Sequence, residues 1–177
     1  MMLYRRYRFN HWHISAIEWR PYALELVEYL RELVVREKLS RVVEIGCGLG
    51  EVLSRIPAPD RVGYDLDENV LRAAHSMHPD IHFQCGSFDD ISGKTIDLLI
   101  VVNFPHRIPP DQMKNYMTQL GERNRLKYLV VDKVRYAYYH DYDVILGERW
   151  RKVWESRPFE SDRTVMCYLN TQADADS

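Results

Sequence analysis

Cysteine is scarce in this chain and poorly spaced for chemistry. The three residues, Cys47, Cys85 and Cys167, form no CxxC pair and are odd in number. That excludes a disulfide framework and argues against a structural zinc site, and a reduced, cytoplasmic setting is the expectation. Long apolar runs are missing as well. Nowhere do ~18 apolar residues follow one another, so no membrane span is expected. The arginine-bearing start lacks the apolar stretch that a secretory signal carries behind its charges. Positive charge is not in excess. A formal net charge of -2 provides no general field for a polyanion, which makes nucleic acid a poor partner. Arg5, Arg6 and Arg8 are a local exception. They read either as a solvated start or as an edge for an acidic or phosphorylated substrate. Repeats and low-complexity tracts are absent, and the histidines lack the spacing of a metal site, so no metal is expected.

What is present is the composition of a soluble globular domain. Of the 177 residues, 46% are hydrophobic and 28% charged, enough for one domain with an ordinary core. Aromatics cluster at Tyr4, Tyr7, Phe9 and Trp12, and again at Tyr136, Tyr138, Tyr139 and Tyr142. Core packing and the lining of a small-molecule pocket account for them equally well.

Residues 1–38 read as an arm followed by a helix ending near Lys38. Leu26, Leu30, Leu33 and Val34 recur at helical spacing between Glu25, Glu28, Arg31 and Glu32. Ser15 and Glu18 have capping-box spacing, whereas Pro21 prefers a first turn, so a kink or a start near Arg20 is expected. Strands and helices then alternate. Strands are predicted over 41–45, 61–64, 81–84, 96–102 and 127–134, with helices over 50–56, 68–77 and 110–120. The run Ile96–Val102 is almost wholly apolar, as in a strand buried on both faces. A short helix over 142–147 and an antiparallel pair over 150–155 and 164–169 complete residues 39–170. The polar tail, 171–177, is expected to fray. Alternating strands and helices with short connections predict an α/β fold of three layers with a mainly parallel seven-stranded sheet and an antiparallel last strand. Ligands of such sheets bind beyond the carboxyl ends of the strands.

The loop after the first strand reads Glu44-Ile45-Gly46-Cys47-Gly48-Leu49-Gly50. Alternating glycines permit a tight turn and close approach of backbone to a ligand, and the helix expected behind them would offer free N–H groups to an anion. A dinucleotide fingerprint would need a small residue at position 51, which is Glu51; an NAD-dependent reductase is therefore the weakest reading. Asp65 ends the second strand, where a carboxylate can accept hydrogen bonds from both hydroxyls of a ribose. Asp67 is close enough to compete for that role, but capping the next helix is its better reading, an alternative that Asp65 does not have.

Glu44 with its GxGxG, followed by Gly63-Tyr64-Asp65 and the helix Asn69-Val70-Leu71-Arg72-Ala73-Ala74, resembles motif I and its successor in class I, Rossmann-like S-adenosylmethionine-dependent methyltransferases. The resemblance runs in order through Phe83–Asp89, Ile96–Val102 and Lys127–Asp132, over residues 40–135. It implies S-adenosylmethionine as cofactor and S-adenosylhomocysteine as product. Glu44, Gly46, Gly48 and Gly50 would hold the methionine part, Asp65 the ribose, and Leu66 would pack on the adenine. Ser87 stands where the family usually places an acid toward the adenine amino group, Asp89 is near enough to reach in, and Phe88 would stack on the ring. Asn103-Phe104-Pro105-His106 lies where the family places the transferable methyl, with Asn103 among the cofactor-contacting positions. Only Asn103 and Pro105 match the Asn-Pro-Pro-aromatic motif of amino-group methyltransferases, so the motif does not assign the attacked atom.

Methyl transfer from a sulfonium is an in-line displacement in which positioning contributes most. A hydroxyl acceptor also needs a base, and His106 is the candidate, a rim histidine with a structural hydrogen bond being the alternative. Asp132, ending the fifth strand, would orient that base or bind substrate. His140 is a further rim candidate, and His11, Trp12 and His13 would form a lid or belong to a mobile arm. The expected function is methylation, at oxygen or nitrogen, of a small-molecule acceptor. A homodimer mate or partner chain would complete the pocket if the short chain does not. An inactive S-adenosylmethionine-binding scaffold is the alternative.

Overall fold

The computed structural model describes residues 6–9, 13, 16–135 and 137–173. Its Cα packing divides the chain into two compact units, Met1–Ser87 and Phe88–Ser177.

In the first unit helix α1, Pro21–Glu37, begins as its proline dictates, with Arg20 at the N-cap. The structure thus selects the start near Arg20; Ser15 lies outside the described residues. Ala23, Leu26, Val27, Leu30, Leu33 and Val34 form its buried face, each large side chain contributing ~1.5–3 kcal/mol by leaving water. Lys38 ends it in the left-handed region at φ 53, its N–H bonded to the Val34 carbonyl. Strand β1, Arg41–Ile45, pairs in parallel with β2, Asp60–Asp65, in the register Arg41↔Asp60 to Ile45↔Tyr64. β2 pairs in parallel with β3, His82–Cys85. Helix α2, Glu68–Met77, connects them, and the Asp67 carboxylate caps it by accepting the Asn69 and Val70 N–H groups at 2.9 and 3.3 Å. Asp67 is therefore the cap, which leaves Asp65 as the carboxylate at the strand end.

The helix expected over 50–56 does not form. Gly50 has φ +75, which no helix accepts. The six residues before Pro57 allow only a turn and the short 3-10 helix Leu53–Arg55. The anion site expected at that helix N-terminus goes with it.

In the second unit β4, Thr95–Val101, pairs in parallel with β5, Arg125–Lys133. β7, Thr164–Asn170, is antiparallel to β5 and to β6, Trp150–Glu155, giving the order β4-β5-β7-β6. Helix α3, Pro110–Arg123, buries Met113, Met117 and Leu120. It ends at Asn124, whose side-chain amide donates to the Ile91 and Leu120 carbonyls and whose oxygen accepts the Lys94 N–H. Helix α4, Tyr142–Leu146, is capped by Asp141. Of the polar tail, Thr171–Ala173 form a turn, and residues 174–177 lie outside the described residues. The Thr171 N–H bonds to Arg149 O, and the Ala173 carbonyl accepts from the Arg125 guanidinium.

The seven strands, with only the last antiparallel, are those of the α/β fold predicted. No described helix is long and apolar enough to cross a membrane.

Candidate functional site

β1 and β2 end side by side, and their last carboxylates, Glu44 and Asp65, flank the glycine turn. The turn is pinned to β2, with the Gly46 and Cys47 N–H groups both bonding to Tyr64 O, at 2.7 and 3.0 Å. Gly48 and Gly50 have φ +53 and +75, conformations that side chains resist. Space for a side chain is tight there as well. A Cβ on Gly50 would lie 2.7 Å from the Phe83 ring, and one on Gly48 would lie 3.1 Å from His13 Nδ1. The turn thus brings bare backbone to the strand ends.

Asp65 organises this turn. Its Oδ2 accepts the Gly48 N–H at 2.9 Å and its Oδ1 the Asp67 N–H at 3.0 Å. Each carboxylate oxygen can accept twice, so one lone-pair position remains on each. That is the donor-hungry arrangement that a vicinal diol would complete. Glu44 is 4% exposed. It takes the Leu53 N–H, and burial, opposed first by the Arg20 charge, pushes its carboxyl up to about 8. Its Oε2 is buried without a hydrogen-bond partner. Arg20 is paired instead with Glu51, which also accepts the Ile17 N–H at 3.3 Å. Sequence reasoning missed this clasp between the segment before α1 and the glycine turn. Arg20 and Glu51 are 31 positions apart, and neither sits in a motif.

Of the expected lid, His13 lies against Gly48. Burial lowers its pKa, while Asp65 and Asp67 act to raise it. His11 and Trp12 lie outside the described residues, as do Arg5, Tyr4 and Tyr136. Leu66 is 74% exposed at the tip of the loop after β2. Ser87 is half-buried two residues beyond β3.

In the second unit Phe88 is buried and stacks on Tyr116 with ring centroids 4.4 Å apart, and it meets Phe104 at 5.9 Å. Its ring is thus engaged in packing. Asn103 follows β4 at φ 77, a left-handed conformation that asparagine tolerates better than most residues. Its N–H donates to Asp132 Oδ1 at 3.0 Å. Asp132 was expected to face the rim, but it is 1% exposed and its Oδ2 pairs with Arg163. Burial pushes its carboxyl up to about 6, against the opposing Arg163 charge and Asn103 N–H. The physical reason is that Asp132 lies within the β5–β7 pairing, opposite Val165, so Arg163 reaches it before solvent does. Asp132 therefore holds the start of the loop after β4 through the Asn103 N–H.

His106, also expected on the rim, is 8% exposed in the 3-10 helix Pro105–Arg107. Burial lowers its pKa, and the Arg163, Arg107 and His140 charges act in the same direction. All of these favour the neutral imidazole. His140 is buried as well, with Nε2 2.9 Å from Pro105 O, and the His106 carbonyl accepts the Tyr138 N–H. Of the late aromatics Tyr142 is core, while Tyr138 and Tyr139 are exposed. Arg163 carried no signal in the sequence. Among the described residues no group of three His, Cys, Asp or Glu is placed to hold a metal.

Solved structures share this fold. Magnesium protoporphyrin IX methyltransferase (ChlM) from Synechocystis PCC 6803, with bound S-adenosylmethionine, is 15% identical over 96% of this chain and 90% of its own, with a TM-score of 0.72. The N-methyltransferase NodS from Bradyrhizobium japonicum WM9 is 17% identical over 85% of this chain and 97% of its own, with a TM-score of 0.69. CalS10, an amino pentose methyltransferase from Micromonospora echinaspora, is 13% identical over 94% of each chain, with a TM-score of 0.66. No family model matches the chain, and no curated protein matches it in sequence. At these identities the likeness shows the fold, which is that of the class I S-adenosylmethionine-dependent methyltransferases.

Proposed function

We propose that this protein binds S-adenosylmethionine at the glycine turn of β1 and transfers its methyl group to a small-molecule acceptor. The observation that carries the reading is the pair of under-satisfied carboxyl groups flanking a glycine turn with little room for side chains. Asp65 keeps one lone-pair position on each oxygen, and Glu44 Oε2 has no partner. A ribose diol and an amino-acid ammonium supply the donors those two groups lack. The solved structure with bound S-adenosylmethionine has the same fold at a TM-score of 0.72.

When bound, the cofactor supplies a methyl group already activated on a sulfonium. The chain's own part is to position and to manage protons. Asp65 holds Gly48 and accepts the ribose hydroxyls, and Gly46, Gly48 and Gly50 keep backbone within reach of the methionine portion. Asp132 fixes Asn103, and with it the start of the loop carrying His106. For a hydroxyl acceptor His106 is the base, kept neutral by burial and by Arg163 and therefore able to take a proton at neutral pH.

The burial of both His106 and Asp132 favours one alternative, a cofactor-binding subunit without turnover of its own. Calorimetric titration with S-adenosylmethionine and S-adenosylhomocysteine tests the cofactor site. Micromolar binding is expected, weakened by about 1–3 kcal/mol in Asp65→Ala through loss of charged hydrogen bonds. Absence of binding to both, or an unchanged affinity in Asp65→Ala, overturns the assignment. Turnover against a panel of hydroxyl and amine acceptors separates enzyme from subunit.

A further inference from the structure

Glu44 is held in surroundings that do not support an anion. Its strand neighbours Val43 and Ile45 are buried, and so is Leu53, whose N–H is the donor its carboxyl takes. The charged groups facing it come from three places: Arg20 before α1, Glu51 in the glycine turn, and Asp65 at the end of β2. The Cys47 thiol feels it too. Arg20 is the single cation in that set, and its guanidinium is committed to Glu51. Asp65 and Glu51 both oppose a further negative charge. Oε2 is left buried without a partner. An ionised carboxylate so placed costs far more than the neutral acid.

We propose that Glu44 carries a proton in the ligand-free protein and surrenders it when the ammonium of the ligand's amino-acid moiety docks against Oε2, so that binding expels one proton and selects ligands that bear a primary ammonium. The proposal rests on the S-adenosylmethionine reading of this site and adds to it a charge exchange. One cation, the proton, leaves the carboxyl for bulk buffer as another, the ammonium, arrives. The N–H protons stay on the ligand, no covalent bond to carbon changes, and the net charge of the buried site is conserved. That conservation is the reason the exchange is favoured, since neither state holds an uncompensated charge. Burial pushes the Glu44 carboxyl up to about 8, so the group is almost wholly protonated at pH 6.5. His13, which faces Asp65 and Asp67, has its pKa lowered by burial, and the Glu44→Gln control below separates any proton it exchanges from that of Glu44.

The test is calorimetric titration at pH 6.5 in buffers of different ionisation enthalpy. The dependence of observed heat on buffer enthalpy counts the protons exchanged. S-adenosylhomocysteine should release about one proton, and 5′-methylthioadenosine, which lacks the amino-acid moiety, about none. Glu44→Gln keeps the side-chain shape and should bind S-adenosylhomocysteine with no release. In the unaltered protein, affinity for S-adenosylhomocysteine should rise about tenfold per pH unit between pH 5.5 and 7, which keeps the test independent of whether the variant folds. S-adenosylhomocysteine binding without proton release, or the same release from Glu44→Gln, overturns this inference and leaves the cofactor reading intact. Failure of S-adenosylhomocysteine and S-adenosylmethionine to bind at all overturns both.

Discussion

Replacing Arg163 by methionine removes the cation from the buried pair with Asp132 while keeping the bulk of the side chain. Both partners are buried, at 10% and 1% side-chain exposure, so the effect is not screened away. Asp132 has its folded value raised to about 6 from 3.8 by burial, which outweighs Arg163 and the Asn103 N–H. A raised carboxyl contributes stability that is full below about 3.8 and is lost as pH climbs through about 6. Without Arg163 the carboxyl rises further, so the variant loses more stability over the same climb. At pH 5 Asp132 is already mostly protonated, the pair is weak, and the substitution should cost ~1 kcal/mol or less. At pH 8 it should cost ~3 kcal/mol, at the low end for breaking a buried ion pair. For a chain of this length that is a drop in Tm of roughly 6–12 °C. Urea unfolding at the two pH values, followed by the fluorescence of the four tryptophans, measures the difference. Adding Asp132→Asn should recover much of the loss at pH 8, because no buried anion then remains. An equal cost at pH 5 and pH 8, or no recovery in the double variant, would refute the account of Asp132 as an anion held by Arg163.

Gly50→Ala combines φ +75 with a Cβ placed 2.7 Å from the Phe83 ring, and thermal unfolding should show a loss of ~1–3 kcal/mol. Phe83→Leu in the same chain should return only part of it, since the backbone strain persists. His106→Ala should slow methylation of a hydroxyl acceptor by about 10²-fold while calorimetry shows cofactor affinity unchanged; a normal rate would remove His106 from the mechanism.

The sequence by itself determined most of what depends on near neighbours along the chain. The strand Thr95–Val101 and the helix Glu68–Met77 occur within a residue of where the apolar run and the Asp67 cap placed them, because strand burial and helix capping are written in a few successive residues. The glycine turn and Asp65 were legible for the same reason. The left-handed turn needs glycine, and the carboxylate ends a strand whose length the pattern states. Local rules compete over residues 50–56, where the sequence spells a helix and the positive φ of Gly50, with Pro57 close behind, leaves only a turn and a short 3-10 helix.

What only the tertiary structure decided is which distant groups meet and how much water reaches them. The Arg20–Glu51 clasp and the Arg163–Asp132 pair each join residues 31 positions apart, a separation over which no periodicity carries information. Glu44, Asp132 and His106 were visible as residue types, but their charge states were not. Those follow from burial and from which partner arrives first: Leu53 and a neighbouring Glu51 that has taken Arg20, or Asn103 and Arg163. Proton affinity is set by the whole surrounding shell, and that shell exists only once the strands have packed.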